Sequence, residues 1–319
     1  MPHFDVFNGD ADGLCALQQL RLAQPREARL VTGPKRDIAL LERVPAVAGD
    51  TLTVLDISLH RNRAALQDLL ARGATVEYFD HHFAGEVASH PRLRTHLDPS
   101  AGVCTSLLVD RHLQGAHRGW AIVGAFGDNL PDVACRLAAS AGLMEEDTRQ
   151  LRQLGEAINY NAYGDSEADL MVPPWRLATL LRPFHDPLVF ARSEPVARTL
   201  AEGQAADLEA AWRIPPERLL PGAALVLLPD APWARRVQGV FANALSQRHP
   251  DRAHAVLRAA GDADFVVSVR APRQRPQGAD QLCLGFGSGG GRSAAAGIDR
   301  LPSWRLEEFA QAFARAFAT

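Results

Sequence analysis

The chain has 319 residues, with 34 basic and 37 acidic side chains, a formal charge of −3 and 47% hydrophobic residues. This length predicts two domains, and the composition excludes a disordered chain, a collagen-like fibre and a polycationic coat for long duplex nucleic acid. No apolar run approaches the ~18 residues that a membrane span needs, so we expect no membrane association and a cytoplasmic location. The four cysteines are scattered without a CxxC pair, which favours buried reduced thiols over disulfides or a zinc site.

Short apolar runs in the first half predict strands, and helical periodicity separates them. The strands are expected at 3–8, 28–32, 51–57 and 75–79. Helical spacing is seen in three groups, which are Leu14, Leu17 and Leu20, then Ile38, Leu41 and Val44, then Leu66, Leu69 and Leu70. This alternation predicts an α/β fold with a doubly wound, mostly parallel sheet, which binds its ligands beyond the carboxyl ends of the strands.

The rest of the chain predicts more helices in the first domain and then a smaller α/β domain. The further helices of the first domain are expected at 104–113, 120–126 and 145–160. A polar helical stretch at 194–212 and the Pro-rich segment IPPERLLPG are typical of a connector. Beyond it, strands are expected at 223–228, 254–257 and 265–270, and helices at 234–245 and 304–317. The predicted organisation is therefore a first domain at 1–190, a connector at 191–222 and a second domain at 223–319.

Acidic and imidazole side chains follow three of the four predicted strands in the first half. Asp10 and Asp12 follow the first strand, Asp56 ends the third, and Asp80, His81 and His82 follow the fourth. Parallel strands end at one edge of a sheet, so these groups should converge there. Crowded carboxylates repel one another unless cations neutralise them, and oxygen ligands mixed with imidazole suit Mn(II), Mg(II) or Fe(II) better than structural zinc. Asp128, in AFGDN at the end of a helical pattern, is a further candidate ligand.

Each of these acids also has an ordinary structural explanation. Asp10 and Asp12 fit an Asx turn or a helix N-cap, and Asp56 fits a cap of the next helix. Asp128 taken alone is typical of a turn. The Asp-His-His triplet is harder to explain in this way, because two adjacent histidines at a strand end gain nothing obvious for packing. Together the four motifs favour a metal centre.

With these motifs the chain resembles the DHH phosphoesterase superfamily, which includes RecJ exonucleases, nanoRNase/pAp phosphatases, cyclic-di-AMP phosphodiesterases and type II inorganic pyrophosphatases. The second half carries a matching signature. LGFGSGGGRSAAAGI at 284–298 resembles the GGGHxxAAG motif of the DHH-associated C-terminal domain, and FVVSVRAP at 265–272 resembles the strand that precedes it. Both signatures occur in the expected order, so the resemblance covers nearly the whole chain.

The resemblance implies a role for each motif residue. Two divalent ions, Mn(II) first and Mg(II) as the alternative, would be ligated by Asp10, Asp12, Asp56, His81 and Asp128. Asp56 would bridge the ions, which would hold a hydroxide for in-line attack on phosphorus. His82 would face the substrate, and Asp80 would orient His81. The substrate phosphate would be held by Ser268, Arg270, Gly289, Gly290, Gly291 and Arg292, with the glycine N–H groups forming an anion nest and domain closure completing the site.

Two positions depart from the superfamily pattern. Val6 stands where many relatives carry a histidine, and Asn8 stands where RecJ-like relatives carry an acid. Valine cannot ligate and an amide oxygen is a weaker ligand than a carboxylate, so the sequence predicts uneven metal affinity. Arg292 stands where the C-terminal signature often has histidine. Arginine binds phosphate but does not shuttle protons at neutral pH, so this domain is expected to bind substrate only.

The resemblance implies a metal-dependent phosphohydrolase for short oligonucleotides, pAp or linear dinucleotides, active as a monomer or a homodimer. Type II pyrophosphatases lack the GGG signature, and RecJ enzymes usually need further domains and a basic path for a long single strand. An exopolyphosphatase and a cyclic-dinucleotide phosphodiesterase are the enzymatic alternatives, and a catalytically silent nucleotide-binding regulator is the third. Lys35 and Arg36 follow the second strand and either contact phosphate or form a solvated pair at a helix start.

Overall fold

The computed structural model describes residues 1–87, 89–261 and 263–318. Contacts divide the chain into two compact units, Met1–Gly203 and Gln204–Thr319. The division falls inside a helix, Pro195–Trp212, within the range predicted as a connector. The domain limits 1–190, 191–222 and 223–319 stay predictions. No helix among the described residues has both the length and the apolar character that crossing a membrane requires.

The first unit is built on a parallel sheet. Its strands are β1 (His3–Phe7), β2 (Arg29–Val31), β3 (Thr51–Leu55), β4 (Thr75–Asp80) and β5 (Leu93–Leu97). Within the described residues the strand order is β2-β1-β3-β4-β5, with every pair parallel. The α/β fold class is therefore confirmed. Strand β5 was not predicted, because this edge strand is largely exposed and lacks an apolar pattern.

Helices pack on both faces of this sheet. The helices of this part of the chain are α1 (Ala11–Ala23), α2 (Arg63–Ala71), α3 (Thr105–His112), α4 (Arg118–Gly127), α5 (Pro131–Ser140), α6 (Glu145–Asn161), α7 (Pro174–Leu181) and α8 (Pro187–Ser193), and α9 (Pro195–Trp212) spans the division between the units. One core lies between the sheet and α1, α3 and α4, and includes Phe7, Leu55 and Phe79. The other lies on the α2 side, and includes Val6 and Val54. Both faces are buried, as a doubly wound sheet requires.

One predicted helix is absent from the described structure. The pattern of Ile38, Leu41 and Val44 yields only a single 3₁₀ turn at Leu40–Arg43. Val44 precedes Pro45 and takes an extended conformation, because the proline ring disfavours a helical residue before it. The apolar side chains Leu40, Leu41 and Val44 still pack into the core on the α2 side.

Close packing of α1, α4 and α6 brings two helix ends together. A Cβ on Gly127 would lie 2.3 Å from the Cβ of Ala11, and a Cβ on Gly155 would lie 2.3 Å from the carbonyl oxygen of Val123. Only glycine fits at these two contacts. As a result, the C-terminal end of α4, which carries Asp128, lies against the N-terminal end of α1.

The second unit contains a mixed sheet. Its elements are β6 (Arg218–Leu220), β7 (Ala223–Leu228), α10 (Pro232–Arg248), β8 (Ala253–Ala260), β9 (Asp264–Arg270), α11 (Ala279–Leu284), β10 (Gly289–Arg292), β11 (Ala295–Pro302) and α12 (Leu306–Ala316). The strand order in the described part is β10-β11-β9-β8-β7-β6. Val267, Val269, Phe309 and Phe313 belong to its core. The predicted smaller α/β domain is confirmed.

Candidate metal centre and active site

Four of the predicted ligands meet at the carboxyl edge of the parallel sheet. Nε2 of His81 lies 3.4 Å from Oδ1 of Asp56 and 3.9 Å from Oδ2 of both Asp12 and Asp128. Single ligand atoms of Asp12, His81 and Asp128 lie within 4.8 Å of one another. Oxygen donors from three carboxylates and one imidazole nitrogen fit a hard divalent ion.

Asp10 and Asp12 begin α1 and are held by main-chain donors. Oδ1 of Asp10 caps the helix by accepting a hydrogen bond of 3.0 Å from the N–H of Gly13. Asp12 accepts hydrogen bonds of 2.7 Å from the N–H groups of both Thr105 and Ser106, at the start of α3. The helix-cap explanation is therefore correct for Asp10, and this capping role coexists with its place in the acidic cluster.

Asp56 has an uncommon backbone conformation. Its φ of +58° lies in the left-handed region, which is uncommon for a residue with a side chain, although aspartate tolerates it better than most. Its Oδ1 accepts a hydrogen bond of 3.1 Å from the hydroxyl of Thr105. Burial and the neighbouring charges of Asp10 and Asp12 raise the pKa of Asp56 well above its ordinary value.

Asp128 ends α4 and shares the same crowding. Burial and the charge of Asp12 raise the pKa of Asp128 to about 7. A carboxyl group in this position carries a cost unless a cation offsets the negative charge around it. The ligand atoms of the cluster fit the divalent ion that the resemblance implies, and such an ion would offset the repulsion between the carboxylates.

Asp80 and His82 form a hydrogen-bonded pair at the edge of the cluster, where single ligand atoms of Asp56, His81 and His82 also lie within 4.8 Å of one another. Asp80 is fully buried and accepts hydrogen bonds from the N–H of Leu59 at 3.0 Å and from Nδ1 of His82 at 2.6 Å. Although burial acts to lower it, the bond to Asp80 raises the pKa of His82. The resemblance implied that Asp80 orients His81, and the structure instead pairs Asp80 with His82, because Nδ1 of His82 lies within hydrogen-bond distance of Asp80 while Nε2 of His81 lies near Asp12, Asp56 and Asp128.

Lys35 is a residue of the site, although its position in the sequence fits a solvated pair equally well. Its Nζ lies 2.5 Å from Oδ2 of Asp10 and 3.9 Å from Oδ1 of Asp128, and it donates a hydrogen bond of 3.4 Å to Oδ1 of Asn159. In the sequence, Lys35 follows the second strand of a parallel sheet, which places it at the same edge as the acids. Its position does not predict whether the side chain turns toward the acids or toward solvent.

Val6 offers no ligand atom to the cluster, whereas Asn8 lines the same cleft as the acids. Val6 is fully buried in the core on the α2 side of the sheet. Oδ1 of Asn8 accepts a hydrogen bond of 3.2 Å from the N–H of Asp10. The amide oxygen therefore supports the turn that carries Asp10.

A cleft of about 480 Å³ opens above the cluster. Beside the metal-site residues it is lined by Ile38, Ser58, His60, Arg61 and Phe83. Phe83 is 71% exposed, and its ring centroid lies 5.6 Å from that of His60. An exposed aromatic ring at the mouth of an acidic cleft is a surface on which a flat ligand can stack.

Four of the candidate phosphate-binding residues of the second unit, Ser268, Arg270, Gly290 and Arg292, share one face of its sheet, and Gly289 and Gly291 lie on the other. Gly297 of β11 pairs with both Gly290 and Ser268, and Ala295 pairs with both Arg292 and Arg270. Paired residues point to the same side, so Ser268, Arg270 and Arg292 flank a floor of small residues. Nε of Arg270 also donates a hydrogen bond of 2.6 Å to Oδ1 of Asn243.

The GGG segment is an edge strand. A concave anion nest requires consecutive N–H groups on one side, whereas a strand alternates them. A Cβ on Gly289 would lie 1.7 Å from the carbonyl oxygen of Cys283, so close packing requires this glycine, whereas a Cβ on Gly290 would meet nothing. The predicted nest is replaced by a flat edge with its outer main-chain groups turned away from β11.

No protein-family model matches this chain, and no curated protein matches it in sequence. Solved structures do match. RecJ exonuclease bound to manganese has a TM-score of 0.62 at 19% identity, over 99% of this chain and 90% of that one. PggH, a pGpG-specific phosphodiesterase from Vibrio cholerae, has a TM-score of 0.59 at 15% identity, over 99% of both chains.

RecJ in complex with Mn(II) from Thermus thermophilus has a TM-score of 0.59 at 17% identity, over 99% of this chain and 52% of that one. All three alignments extend across both units of this chain. The chain therefore has the fold of RecJ exonuclease and the PggH phosphodiesterase, which is the fold predicted from its resemblance to the DHH phosphoesterase superfamily.

Proposed function

We propose that this protein is a divalent-metal-dependent phosphohydrolase of the DHH superfamily that cleaves short oligonucleotides, pAp or linear dinucleotides. The observation that carries the proposal is the convergence of Asp12, Asp56, Asp128 and His81 at one sheet edge. Carboxylates gain nothing from such crowding in a protein that lacks a cation there. The fold shared with RecJ and PggH supports the same reaction class.

Asp12, Asp56, His81 and Asp128 would hold the ion. A divalent ion supplies charge neutralisation at phosphate and activation of water. Mn(II) is our first choice and Mg(II) the second, because the ligand set is hard and RecJ structures are recorded with either ion.

The remaining residues would bind the substrate and move a proton. His82 is held by Asp80 and favours its protonated form, so Nε2 of His82 would donate a proton to the leaving oxygen. Ser268, Arg270 and Arg292 would bind phosphate from their common face of the second sheet. Phe83 would stack against a nucleobase.

Phe83 favours nucleotides over inorganic polyphosphate, which has no ring to stack. PggH acts on the linear dinucleotide pGpG, which supports a substrate of similar size here. A cyclic-dinucleotide phosphodiesterase and a silent nucleotide-binding regulator would both present the same stacking surface, so activity measurements are needed to distinguish them from the proposed enzyme.

A substrate panel tests the proposal. Purified protein is assayed with pAp, linear dinucleotide, three- to five-residue RNA, cyclic dinucleotide, polyphosphate and single-stranded DNA, with Mn(II) and Mg(II) titrated separately. We expect turnover of the short linear nucleotides and its loss in Asp128→Asn, which changes a partly exposed helix end and should fold. Tight nucleotide binding without turnover in excess Mn(II) would support the regulator instead, and cleavage of polyphosphate alone would support the exopolyphosphatase.

A further inference from the structure

The acidic cluster already contains a cation of its own. Nζ of Lys35 donates a hydrogen bond of 2.5 Å to Oδ2 of Asp10, while Oδ1 of Asp10 accepts from the N–H of Gly13 at 3.0 Å. Both oxygens of Asp10 are therefore occupied by donors from the protein. Asp12, Asp56 and Asp128 face His81 instead.

Several contacts hold Lys35 in this position. Its backbone N–H donates a hydrogen bond of 2.9 Å to the carbonyl of Ala162, and its ammonium lies 5.7 Å from the centre of the Tyr163 ring. Asn159 accepts a third contact from Nζ at 3.4 Å. The side chain is only 28% exposed.

The side of the cluster next to Asp10 is also poor in metal ligands. Val6, on the preceding strand, is apolar and fully buried. The amide oxygen of Asn8 is bonded to the N–H of Asp10 at 3.2 Å. An ion placed beside Asp10 would meet the positive charge of Lys35 within hydrogen-bond distance of the Asp10 carboxylate.

We propose that this protein binds one divalent ion per chain, held by Asp12, Asp56, His81 and Asp128, and that the ammonium of Lys35 takes the place of a second cation beside Asp10. The proposal rests on the proposed function and deepens it, because it assigns Asp10 to an ion pair within the protein. A fixed ammonium supplies positive charge near a bound phosphate without requiring a second metal ion. Unlike a bound ion, it is not removed by a chelator.

Metal stoichiometry tests this proposal directly. The full-length protein, stripped of metal, is titrated with Mn(II), and bound ions are counted by calorimetry and by elemental analysis after gel filtration. Electron paramagnetic resonance separates an isolated Mn(II) ion from a coupled pair. We expect one ion per chain with the spectrum of an isolated ion, even at millimolar Mn(II). Two ions with a coupled spectrum would overturn the proposal.

The variant Lys35→Ala tests the role of the ammonium. Without it, Asp10 is an unpaired carboxylate, so a second ion should bind at millimolar Mn(II). Arg36→Ala is the matched control, since Arg36 is the adjacent basic residue and lies 3.9 Å from Asp165, which is not part of the cluster. Lys35→Ala with a single ion at wild-type affinity would show that Lys35 does not exclude a second ion. Should Lys35→Ala not fold, the stoichiometry of the wild-type protein decides alone.

The outcomes separate this proposal from the proposed function. One bound ion without hydrolysis of any nucleotide supports the single-ion site and overturns the phosphohydrolase. Two bound ions with hydrolysis overturn the single-ion site and support the phosphohydrolase. A protein that binds no Mn(II) overturns both.

Discussion

Nδ1 of His82 lies 2.6 Å from Oδ1 of Asp80, a carboxylate with no exposed surface. The same carboxylate accepts hydrogen bonds from the N–H of His82 at 3.1 Å and from the N–H of Leu59 at 3.0 Å. The imidazole ring is therefore fixed to the sheet through a buried anion, with Nε2 as its remaining nitrogen. This fixed orientation fits the proposed role of Nε2 as a proton donor in the cleft.

Asp80→Asn should lower turnover by about tenfold to a hundredfold, because the amide holds the ring less firmly and no longer favours its charged form. The measurement is a double-mutant cycle with His82→Gln. If Asp80 acts through His82, adding Asp80→Asn to His82→Gln should cause little further loss of turnover. Independent, additive losses would mean that Asp80 serves another group.

Asp56→Asn should abolish stabilisation by metal while leaving the fold intact. Asparagine tolerates the left-handed backbone that Asp56 adopts, but a neutral side chain is a poor ligand for a divalent ion. Wild-type protein should gain about 2.7 kcal/mol at a Mn(II) concentration 100 times Kd, and the variant close to none. Thermal unfolding with and without Mn(II) measures this gain.

In metal-free buffer we expect the variant to be the more stable of the two proteins. Asp56→Asn should then have a higher Tm than wild type, since the substitution removes one buried carboxylate from a repulsive group. Asp98→Asn is the control, because Asp98 contacts Arg111 and Ser100 outside the cluster. An Asp56→Asn protein that Mn(II) still stabilises as much as wild type would contradict the metal centre.

Phe83→Ala should selectively weaken the binding of nucleotide substrates. A stacked base contributes about 1–3 kcal/mol, so KM for a dinucleotide should rise by about 5-fold to 150-fold, while stability is unchanged because the ring is exposed. Phe83→Trp should keep the wild-type KM, and Trp304→Ala, which removes an exposed ring elsewhere, serves as a control. Equal KM values for wild type and Phe83→Ala would rule out stacking.

His254 should make stability depend on pH. The ring is buried in β8 of the second unit, and this burial lowers the pKa of His254 to about 4, from 6.5. As pH falls below 6.5 the unfolded chain binds a proton that the folded chain does not, so the free energy of unfolding decreases. Between pH 7 and pH 5 the expected decrease from this group is about 2 kcal/mol.

The comparison is with His254→Gln, whose side chain stays neutral and keeps a donor for the carbonyl of His249. Urea unfolding at the two pH values should show a decrease smaller by about 2 kcal/mol in the variant. The same pH dependence in both proteins would mean that His254 is protonated in the folded state.

Much of the site was predictable because it depends on strand polarity. Asp10, Asp12, Asp56 and His81 each follow a strand of one parallel sheet, and parallel strands bring their carboxyl ends to one edge whatever the details of packing. The apolar periodicity likewise predicted four of the five described strands of the first sheet, but only β7, β8 and β9 of the six in the second. The exposed β5 carries no apolar pattern, β10 and β11 lie in and after a glycine-rich segment, and Pro45 ends the helix expected around Leu41.

Local sequence therefore determined the fold class and the chemical identity of the acidic cluster, because both follow from period and from the order of elements along the chain. Tertiary structure alone decided which partner each charge has. Asp80 contacts His82 and Lys35 contacts Asp10 because of the path of two turns and the approach of α6, where Asn159 lies. The contacts of Lys35 join groups far apart in sequence, and the contact of Asp80 with His82 depends on how a local turn directs the side chains. Both depend on distances of a few ångström, which residue patterns do not encode.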